Sequence, residues 1–336
     1  MRAPLLLLVA IALTTPACGG DDGEGDGDGV GADGGADGAS AGAWASAAPI
    51  GGGPIQETAA VALAGRIYVI GGLSSFAAFT DEVWVFDVAA GTWSPGPDLP
   101  RAVHHANAAV VGDTIYVVGA LEGGAFTAIG DVWSYRPGVD AAWQPRGTMP
   151  AGTQRGSAVV GVIGDTIYLA GGLRGGAAVA DVSSYTPATG AWDTTLPALP
   201  APRDHGCGAA IGDRLFVAGG RQASITSQAA TLFAYRPGAA WTEEAPMPTA
   251  RGGTACGVID GRLYVVGGEG NAASPTGVFP QTEAYDAAAG RWKSHPPMPE
   301  PRHGMGAAVW DGALYVPAGA TQQAIGPVAT HDVFRP

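Results

Sequence analysis

One pattern of about fifty residues occurs six times along the chain, and this repeat constrains the fold more than any other feature. Each copy has an apolar strand that ends at or near paired glycines, as Ile67 to Ile70 ends at Gly71-Gly72. The aromatic residues of these strands recur at spacings of 48, 52, 48, 48 and 51 residues. They are Tyr68, Tyr116, Tyr168, Phe216, Tyr264 and Tyr315. So regular a period predicts a repeat architecture.

Each copy divides into four predicted strands. The first is small and apolar, and it turns into the second through a Gly-Asp or Asp-Gly pair, such as Gly112-Asp113, which is a hairpin signal. The third is rich in aromatic residues, as between Val83 and Asp87, and the fourth carries a Trp in all copies but the last. Apolar runs of this length, bounded by turns, favour strands buried on both faces. We therefore expect an all-β chain with almost no helix.

This combination of double glycine, third-strand Tyr and fourth-strand Trp resembles the kelch repeat over residues 43 to 336. The pairs Gly119-Ala120 and Ala318-Gly319 depart from the double glycine, but the neighbouring features remain. The resemblance implies a six-bladed kelch-type β-propeller.

The Trp series predicts how the ring closes. Five fourth strands carry a Trp, and the sixth repeat ends at Pro336 without one. The five residues are Trp93, Trp143, Trp192, Trp241 and Trp292. Trp44 lies 49 residues before Trp93 but lacks the earlier strands of a repeat of its own. We expect an N-terminal strand near Trp44 to complete the last blade, which leaves only short, protected edges.

The first 42 residues differ in composition from the repeats. Residues 1–17 resemble a secretory signal peptide, with an apolar run too short to span a membrane. Cys18 after Ala17 resembles the lipidation site of bacterial lipoproteins, although ordinary cleavage near Ala17 is the alternative. Residues 18–42 are rich in Gly and Asp and predict a disordered linker. The expected location is the periplasm or the cell surface, with the lipid anchor as the only membrane contact.

Charge and motifs exclude some function classes. The formal net charge of −13 argues against nucleic-acid binding, which needs a basic surface. No nucleophile elbow or phosphate-binding loop is present, because the glycine pairs end strands and precede no helix. We expect no cofactor.

The loops between second and third strands predict the binding face. Long segments such as Leu121–Gly130, Arg221–Ala230 and Glu269–Gln281 emerge on the same face as the segments that lead into the first strands. Ionic residues recur in those leading segments. The candidate ligand-binding residues are Glu57, His105, Arg155, Arg203, His205, Arg251, Arg302 and His303. The arginines suit an anion or carboxylate, but the alternative is that they bond neighbouring loops within the fold.

The histidines do not predict a metal site. His105, His205 and His303 belong to the second, fourth and sixth blades and are expected to lie apart around the central channel. His104 and His105, as neighbours on a strand, would point to opposite faces. Zinc ligands must all lie about 2 Å from the ion, so the sequence predicts none here.

Two cysteines lie in the first strands of the fourth and fifth blades. Cys207 and Cys256 differ by one register position, so they either meet across the blade interface or point away from each other. A disulfide is permitted in an exported protein, and two buried thiols are the alternative.

Two classes of function remain. The first is a binding module for a protein or a glycan, anionic ligands included, anchored by aromatic residues of the loops; the candidates are Phe76, Phe79, Phe126 and Phe279. The second is a sugar-acid epimerase or mutarotase resembling the N-acetylneuraminate epimerases, with Glu57 or a histidine moving a proton. The absence of a specific catalytic motif favours the binding module but leaves enzymatic activity undecided.

Overall fold

A computed structural model describes residues 42–222 and 224–336. These residues form strands and turns and contain no helix. The strands associate into six four-stranded antiparallel sheets, one for each sequence repeat, and one additional two-stranded hairpin. The predicted all-β class and the six-bladed propeller are confirmed.

The N-terminal strand is β1 (Ala43–Ser46), and the first three blades follow it. Blade 1 contains β2 (Ala59–Leu63), β3 (Arg66–Ser75), β4 (Ala78–Asp87) and β5 (Thr92–Pro95). Blade 2 contains β6 (Ala108–Val111), β7 (Thr114–Glu122), β8 (Thr127–Tyr135) and β9 (Gln144–Thr148). Blade 3 contains β10 (Val159–Ile163), β11 (Thr166–Ala170), β14 (Val182–Thr186) and β15 (Ala191–Asp193), with the hairpin β12 (Leu173–Arg174) and β13 (Ala177–Ala178) between its second and third strands.

The other three blades repeat the arrangement. Blade 4 contains β16 (Cys207–Ile211), β17 (Arg214–Ala218), β18 (Leu232–Tyr235) and β19 (Thr242–Glu244). Blade 5 contains β20 (Ala255–Ile259), β21 (Arg262–Val266), β22 (Thr282–Asp286) and β23 (Arg291–His295). Blade 6 contains β24 (Ala308–Trp310), β25 (Ala313–Pro317) and β26 (His331–Arg335) from its own repeat.

The ring closes through β1, as the Trp series predicts. This strand pairs antiparallel with β26 and completes blade 6. Trp44 lies opposite Phe334, with ring centroids 5.1 Å apart. The Trp44 indole also donates a hydrogen bond of 3.0 Å to the Pro296 carbonyl in blade 5. The first strand of the described residues and the last one therefore share one sheet.

The core lies between the blades rather than inside any one of them. Six apolar clusters fill the six interfaces between adjacent sheets. At the interface of blades 1 and 2, for example, Tyr68 and Val83 pack with Ile115 and Trp133, and all four are buried. Both faces of each sheet are thus covered, which explains why the strands read as continuous apolar runs.

The paired glycines let each blade meet the next one closely. Gly71 adopts a φ of 58°, and a Cβ there would lie 2.5 Å from the Val103 carbonyl oxygen, which belongs to the segment leading into blade 2. The amide of Gly72 donates a hydrogen bond of 2.8 Å to the same oxygen. Glycine is required because this backbone conformation and this approach both exclude a side chain. The contact fixes the leading segment, which carries the residues that reach the ring axis.

One predicted loop is instead an extended hairpin. The sequence predicts a long loop at Leu121–Gly130, but β7 and β8 continue through it and turn only between Gly123 and Phe126. The hairpin of β3 and β4 in blade 1 is similarly long. We call the surface formed by the connections between second and third strands the loop face.

Candidate functional site

A ring of six residues, which we call the axial ring, surrounds the propeller axis. Each member lies eleven residues before the second-strand aromatic of its blade, as Glu57 does before Tyr68. The members are Glu57, His105, Ser157, His205, Gly253 and Gly304. All six have a positive φ, from 51° to 67°. Four of the six blades therefore place a side chain where the backbone conformation favours glycine, which costs about 1–2 kcal/mol at each residue.

Backbone hydrogen bonds hold the axial ring together. The amide of His105 donates to the Glu57 carbonyl at 2.9 Å, and the amide of Ser157 donates to the His105 carbonyl at 2.8 Å. At blade 4 the His205 amide instead donates to the Ser157 hydroxyl oxygen at 3.1 Å. The amide of Gly253 then donates to the His205 carbonyl, and the amide of Gly304 donates to the Gly253 carbonyl. The amide of Glu57 donates to the Gly304 carbonyl, which closes the circle. The circle of bonds fixes the direction of the side chains.

Three of these side chains converge at the axis and form what we call the axial cluster: Glu57, His105 and His205. His105 Nε2 lies 3.0 Å from Glu57 Oε2 and 2.9 Å from His205 Nε2. One possible ligand atom from each residue lies within 4.8 Å of the other two. The expectation that these histidines lie apart was wrong, because their left-handed backbone conformation directs them inward.

The second expectation about the histidines was also wrong. His104 and His105 do not point to opposite faces, since their Nδ1 atoms lie 2.6 Å apart. The alternation of side chains applies to extended strands, whereas His105 has a φ of 51°. His104 Nε2 contacts the carbonyl oxygen of Gly123 at 3.1 Å, so His104 supports His105 from the side of blade 2.

A buried ionic network surrounds the axial cluster. Asp204 contacts His205 Nδ1 through a carboxylate oxygen that also lies 3.3 Å from Arg221 Nε. Arg221 in turn donates to Glu269 at 2.6 Å. His303 completes the network, with its Nδ1 atom 3.5 Å from Glu269 and 3.7 Å from Glu57. The structure thus brings Glu57, His105, His205 and His303 of the predicted set into one region.

The network decides the charges of its members. Burial raises the pKa of the Glu57 carboxyl, but the nearby His105, with smaller effects of His205 and His303, outweighs burial and holds this pKa well below its usual range. Burial lowers the pKa of His205, and burial together with His105 lowers that of His104 to about 4. At neutral pH Glu57 is therefore ionised, while His104 and His205 are neutral.

Two cavities meet at the axial cluster. A cavity of about 260 Å³ opens on the loop face, and Glu57, His105 and His205 form part of its floor with Arg221 and Glu269. A second cavity of about 100 Å³ lies on the other side of the same three residues. The axial cluster thus separates the outer cavity from the rest of the central channel and is reached from the loop face.

Apolar side chains form the rim of the outer cavity. Phe76, from the tip of the blade 1 hairpin, is 50% exposed. Phe126, from the tip of the blade 2 hairpin, packs against His104 and His105. Phe79 stacks on His104 instead of facing solvent, and Phe279 is only 8% exposed. Of the four predicted aromatic anchors, Phe76 and Phe126 line the cavity.

The four predicted arginines lie outside this cavity. Arg155, Arg251 and Arg302 are fully buried, and Arg203 is nearly so. Arg155 shows the common arrangement, since its guanidinium donates to the carbonyls of Thr153, Leu169 and Gly171 and to the hydroxyl of Ser183. Arg251 and Arg302 also bind carboxylates of their own blades, those of Glu283 and Asp332.

Their position decides what these arginines can do. Because each guanidinium is already bonded within its blade, the four do not form an anion pocket in the outer cavity. Two charged residues that line the cavity, Arg221 and Glu269, are absent from the predicted set. Each lies just after a glycine pair, at the start of the long connection between the second and third strands of its blade.

The two cysteines of the propeller meet across a blade interface. The sulfur atoms of Cys207 in blade 4 and Cys256 in blade 5 are in bonding contact, and the Cα atoms lie 5.9 Å apart. This separation is the usual one for a disulfide. Of the two arrangements that the sequence allowed, the structure has the one in which the side chains meet.

Several predictions fall on residues outside the described ranges. These are the signal peptide of residues 1–17, the lipidated Cys18 and nearly all of the linker of residues 18–42. Among residues 42–222 and 224–336, no helix is long and apolar enough to cross a membrane.

Comparisons with known proteins agree with the fold. Residues 41–220 match the sequence model of the KLHDC2/KLHL20/DRC7 Kelch-repeats domain, and residues 250–299 match the Kelch motif. The chain is 38% identical over 282 residues to the Kelch-like protein terF of Aspergillus terreus. The matched region covers 79% of this chain and 61% of that protein. It is 32% identical over 168 residues to mouse Kelch-like protein 35, and this matched region covers 49% of this chain and 27% of that protein. The chain thus spans less than two thirds of the length of these relatives. With six blades built on the glycine pair and with more than half of its length matched by one kelch domain, the chain belongs to the kelch-repeat family.

Proposed function

We propose that the chain is a binding module that holds a protein partner on its loop face. Kelch propellers typically bind proteins, so membership of the family supports an interaction role. The observation that supports this face is the cavity of about 260 Å³ at its centre, which has an apolar rim and a polar floor. A concave site with a few convergent polar groups is the usual form of a binding site.

Phe76 supports a protein as the partner. It is half exposed at the tip of a long hairpin, next to Phe126 and Ile225 on the rim of the cavity. An exposed aromatic residue beside a pocket is typical of the residues that dominate protein interfaces. Partner side chains that cover Phe76 would also exclude water from the polar floor, which strengthens each hydrogen bond made there.

The epimerase alternative has less support. It depended on arginines that receive a carboxylate, and those guanidiniums are bonded inside their own blades. Arg221 lines the cavity, but it is already paired with Asp204 and Glu269. The binding function therefore explains more of the site than proton transfer on a sugar acid does.

The chain offers a matched pair of positions for the test. Among the described residues, Phe76 and Val139 are the large hydrophobic residues that are most exposed, at 50% and 61%. Val139 lies in the connection between the third and fourth strands of blade 2, which emerges on the face opposite the loop face. A photo-reactive amino acid at position 76 should form a discrete crosslink with one partner in the native host, and the same group at position 139 should not. Crosslinks of equal yield and identity from both positions would contradict the proposal.

We further propose that the binding module is exported and attached to the cell envelope through Cys18. The support is the sequence of residues 1–18, with an apolar run followed by a cysteine after a small residue. Mass spectrometry of the mature N-terminus tests it. A diacylglyceryl-modified Cys18, absent in a Cys18→Ser variant, is expected, whereas a mature chain that begins at an unmodified Cys18 would contradict the anchor.

A further inference from the structure

We infer that the axial cluster of Glu57, His105 and His205 is a binding site for a divalent transition-metal ion. The inference concerns the floor of the outer cavity and does not depend on which partner occupies the loop face. It rests on the hydrogen-bond pattern, the distances, the charge and the access of the site.

The hydrogen-bond pattern leaves lone pairs facing one another. The carboxylate of Asp204 accepts from His205 Nδ1, so that nitrogen carries a proton and, in the neutral ring, Nε2 does not. The Gly123 carbonyl similarly requires a proton on His104 Nε2, which leaves His104 Nδ1 as the acceptor for His105 Nδ1. With its proton on Nδ1, a neutral His105 ring would present a bare Nε2 to the other two residues. These tautomers follow from the partners of each ring nitrogen.

In that tautomer three electron-pair donors meet at one point. His105 Nε2 faces His205 Nε2 at 2.9 Å and Glu57 Oε2 at 3.0 Å. Such an arrangement is repulsive unless a cation lies among the three atoms. A single proton on His105 Nε2 would be shared between two acceptors, Glu57 and His205, and would leave other lone pairs without a partner. A metal ion would instead bind one lone pair from each of the three residues.

The two separations from His105 Nε2 fit a metal ion, and the remaining pair of ligand atoms, from Glu57 and His205, lies within 4.8 Å. Two ligand atoms that bind at about 2.1 Å and at right angles are about 3.0 Å apart. Two histidines and one carboxylate are a ligand set that suits divalent iron and related ions and leaves coordination positions open. The cavity on the loop face would supply room for ligands at those positions.

The surroundings complete the argument. The contact of Asp204 with His205 Nδ1 is the carboxylate–histidine pair that orients metal ligands in proteins. The network holds three carboxylates, those of Glu57, Asp204 and Glu269, against the one guanidinium of Arg221, so its charge favours a cation.

His303 supplies an independent observation at the same site. This residue is fully buried, and its Nδ1 atom has no hydrogen-bond partner although it faces Glu57 and Glu269 at 3.7 and 3.5 Å. A buried polar atom without a partner is costly, and a ligand of the bound ion, such as water, would give it one.

Cobalt(II) titration of the untagged, chelator-treated full chain tests the inference, because visible absorption reports histidine coordination directly. We expect one cobalt(II) per chain, displaced by zinc(II). The variants Glu57→Gln and His205→Gln should weaken binding by at least about 30-fold, since each removes a ligand. The control His295→Gln changes a histidine in β23, far from the axis, and should bind as the wild type does.

The controls separate this site from the acidic residues of the N-terminal segment, which the variants leave unchanged. Glu57→Gln keeps the size of the side chain, so it remains informative if His205→Gln fails to fold. A wild-type chain that takes up no stoichiometric cobalt(II) or zinc(II) would overturn the inference, and so would a Glu57→Gln variant with unaltered affinity. In either case protons, rather than a metal, hold the three side chains together.

Discussion

The Nε2 atoms of His105 and His205, one hundred residues apart in the chain, lie 2.9 Å from each other at the propeller axis. They meet because blades 2 and 4 present the same structural position to the axis, with the same φ of 51°. The repeat that builds the scaffold therefore also builds the candidate site, since any side chain at this position is directed toward the centre.

Removal of β1 should open the ring. A chain that begins at residue 51 lacks the strand that pairs with β26 and the packing of Trp44 on Phe334. We expect the free energy of unfolding to fall by about 3 kcal/mol, because the partly buried Trp44 no longer packs on Phe334 and β26 loses its partner strand. Urea unfolding followed by tryptophan fluorescence measures this change. A chain that begins at residue 42 is the control, and equal stability of the two truncated chains would refute the closure by β1.

Gly304→Ala should disturb the axial ring more than an ordinary glycine substitution does. A Cβ at Gly304 would lie 2.5 Å from Glu57 Oε1, and the residue has a φ of 61°. Gly261 is the matched control, because its φ is 72° but a Cβ there would meet nothing within 4 Å. Both variants should lose about 1 kcal/mol from backbone strain, and only Gly304→Ala should lose more through displacement of Glu57. Equal losses in thermal unfolding would show that Glu57 does not occupy this position.

Acid should destabilise the propeller through His331. Burial lowers the pKa of this residue to about 4, whereas a histidine in the unfolded chain titrates near 6.5. Between pH 6.5 and 4 the unfolded chain therefore binds a proton that the folded chain does not, so stability falls as the pH falls. The contribution of this one residue reaches about 3 kcal/mol.

The variant His331→Phe isolates this effect. The ring of His331 packs against Phe86, Trp93 and Tyr315, so an aromatic replacement keeps the surroundings. Urea unfolding at pH 7.0 and 4.5 should show a smaller acid-induced loss in the variant than in the wild type. The same loss in both proteins would mean that His331 is not the residue that resists protonation.

Cys207 and Cys256 should form a disulfide in the mature protein. Alkylation without a reductant, followed by peptide mass spectrometry, should leave both cysteines unlabelled. Reduction should lower stability by about 4 kcal/mol, the chain-entropy value for a closed loop of this length, 49 residues. Quantitative labelling of both residues in the native, unreduced chain would show that they are free thiols.

The sequence predicted the blades and their closure because these depend on features that recur with a fixed spacing. The second-strand aromatics defined six repeats, and the position of Trp44 indicated which strand completes blade 6. Apolar runs and hairpin turns are local signals, and they determined local structure as expected.

The axial cluster was not predicted, although a signal for it exists. Glu57, His105 and His205 each lie eleven residues before a second-strand aromatic, at a position that blades 5 and 6 fill with glycine. Glycine in two blades indicates a positive φ in all six, and that backbone conformation breaks the alternation of side chains. In blades 3 to 6 an arginine stands two residues before the axial-ring position and is the stronger charge signal, but these arginines point into their own blades.

Binding of a protein partner on the loop face can be measured through the affinity of the crosslinked partner for two variants of this chain. The variants Phe76→Ser and Val139→Ser each remove an exposed apolar side chain, one on the loop face and one opposite. We predict that Phe76→Ser raises the Kd by about 30-fold, as expected for an interface residue worth about 2 kcal/mol, and that Val139→Ser leaves it unchanged. An unchanged Kd for Phe76→Ser, or an equal increase for Val139→Ser, would contradict the account.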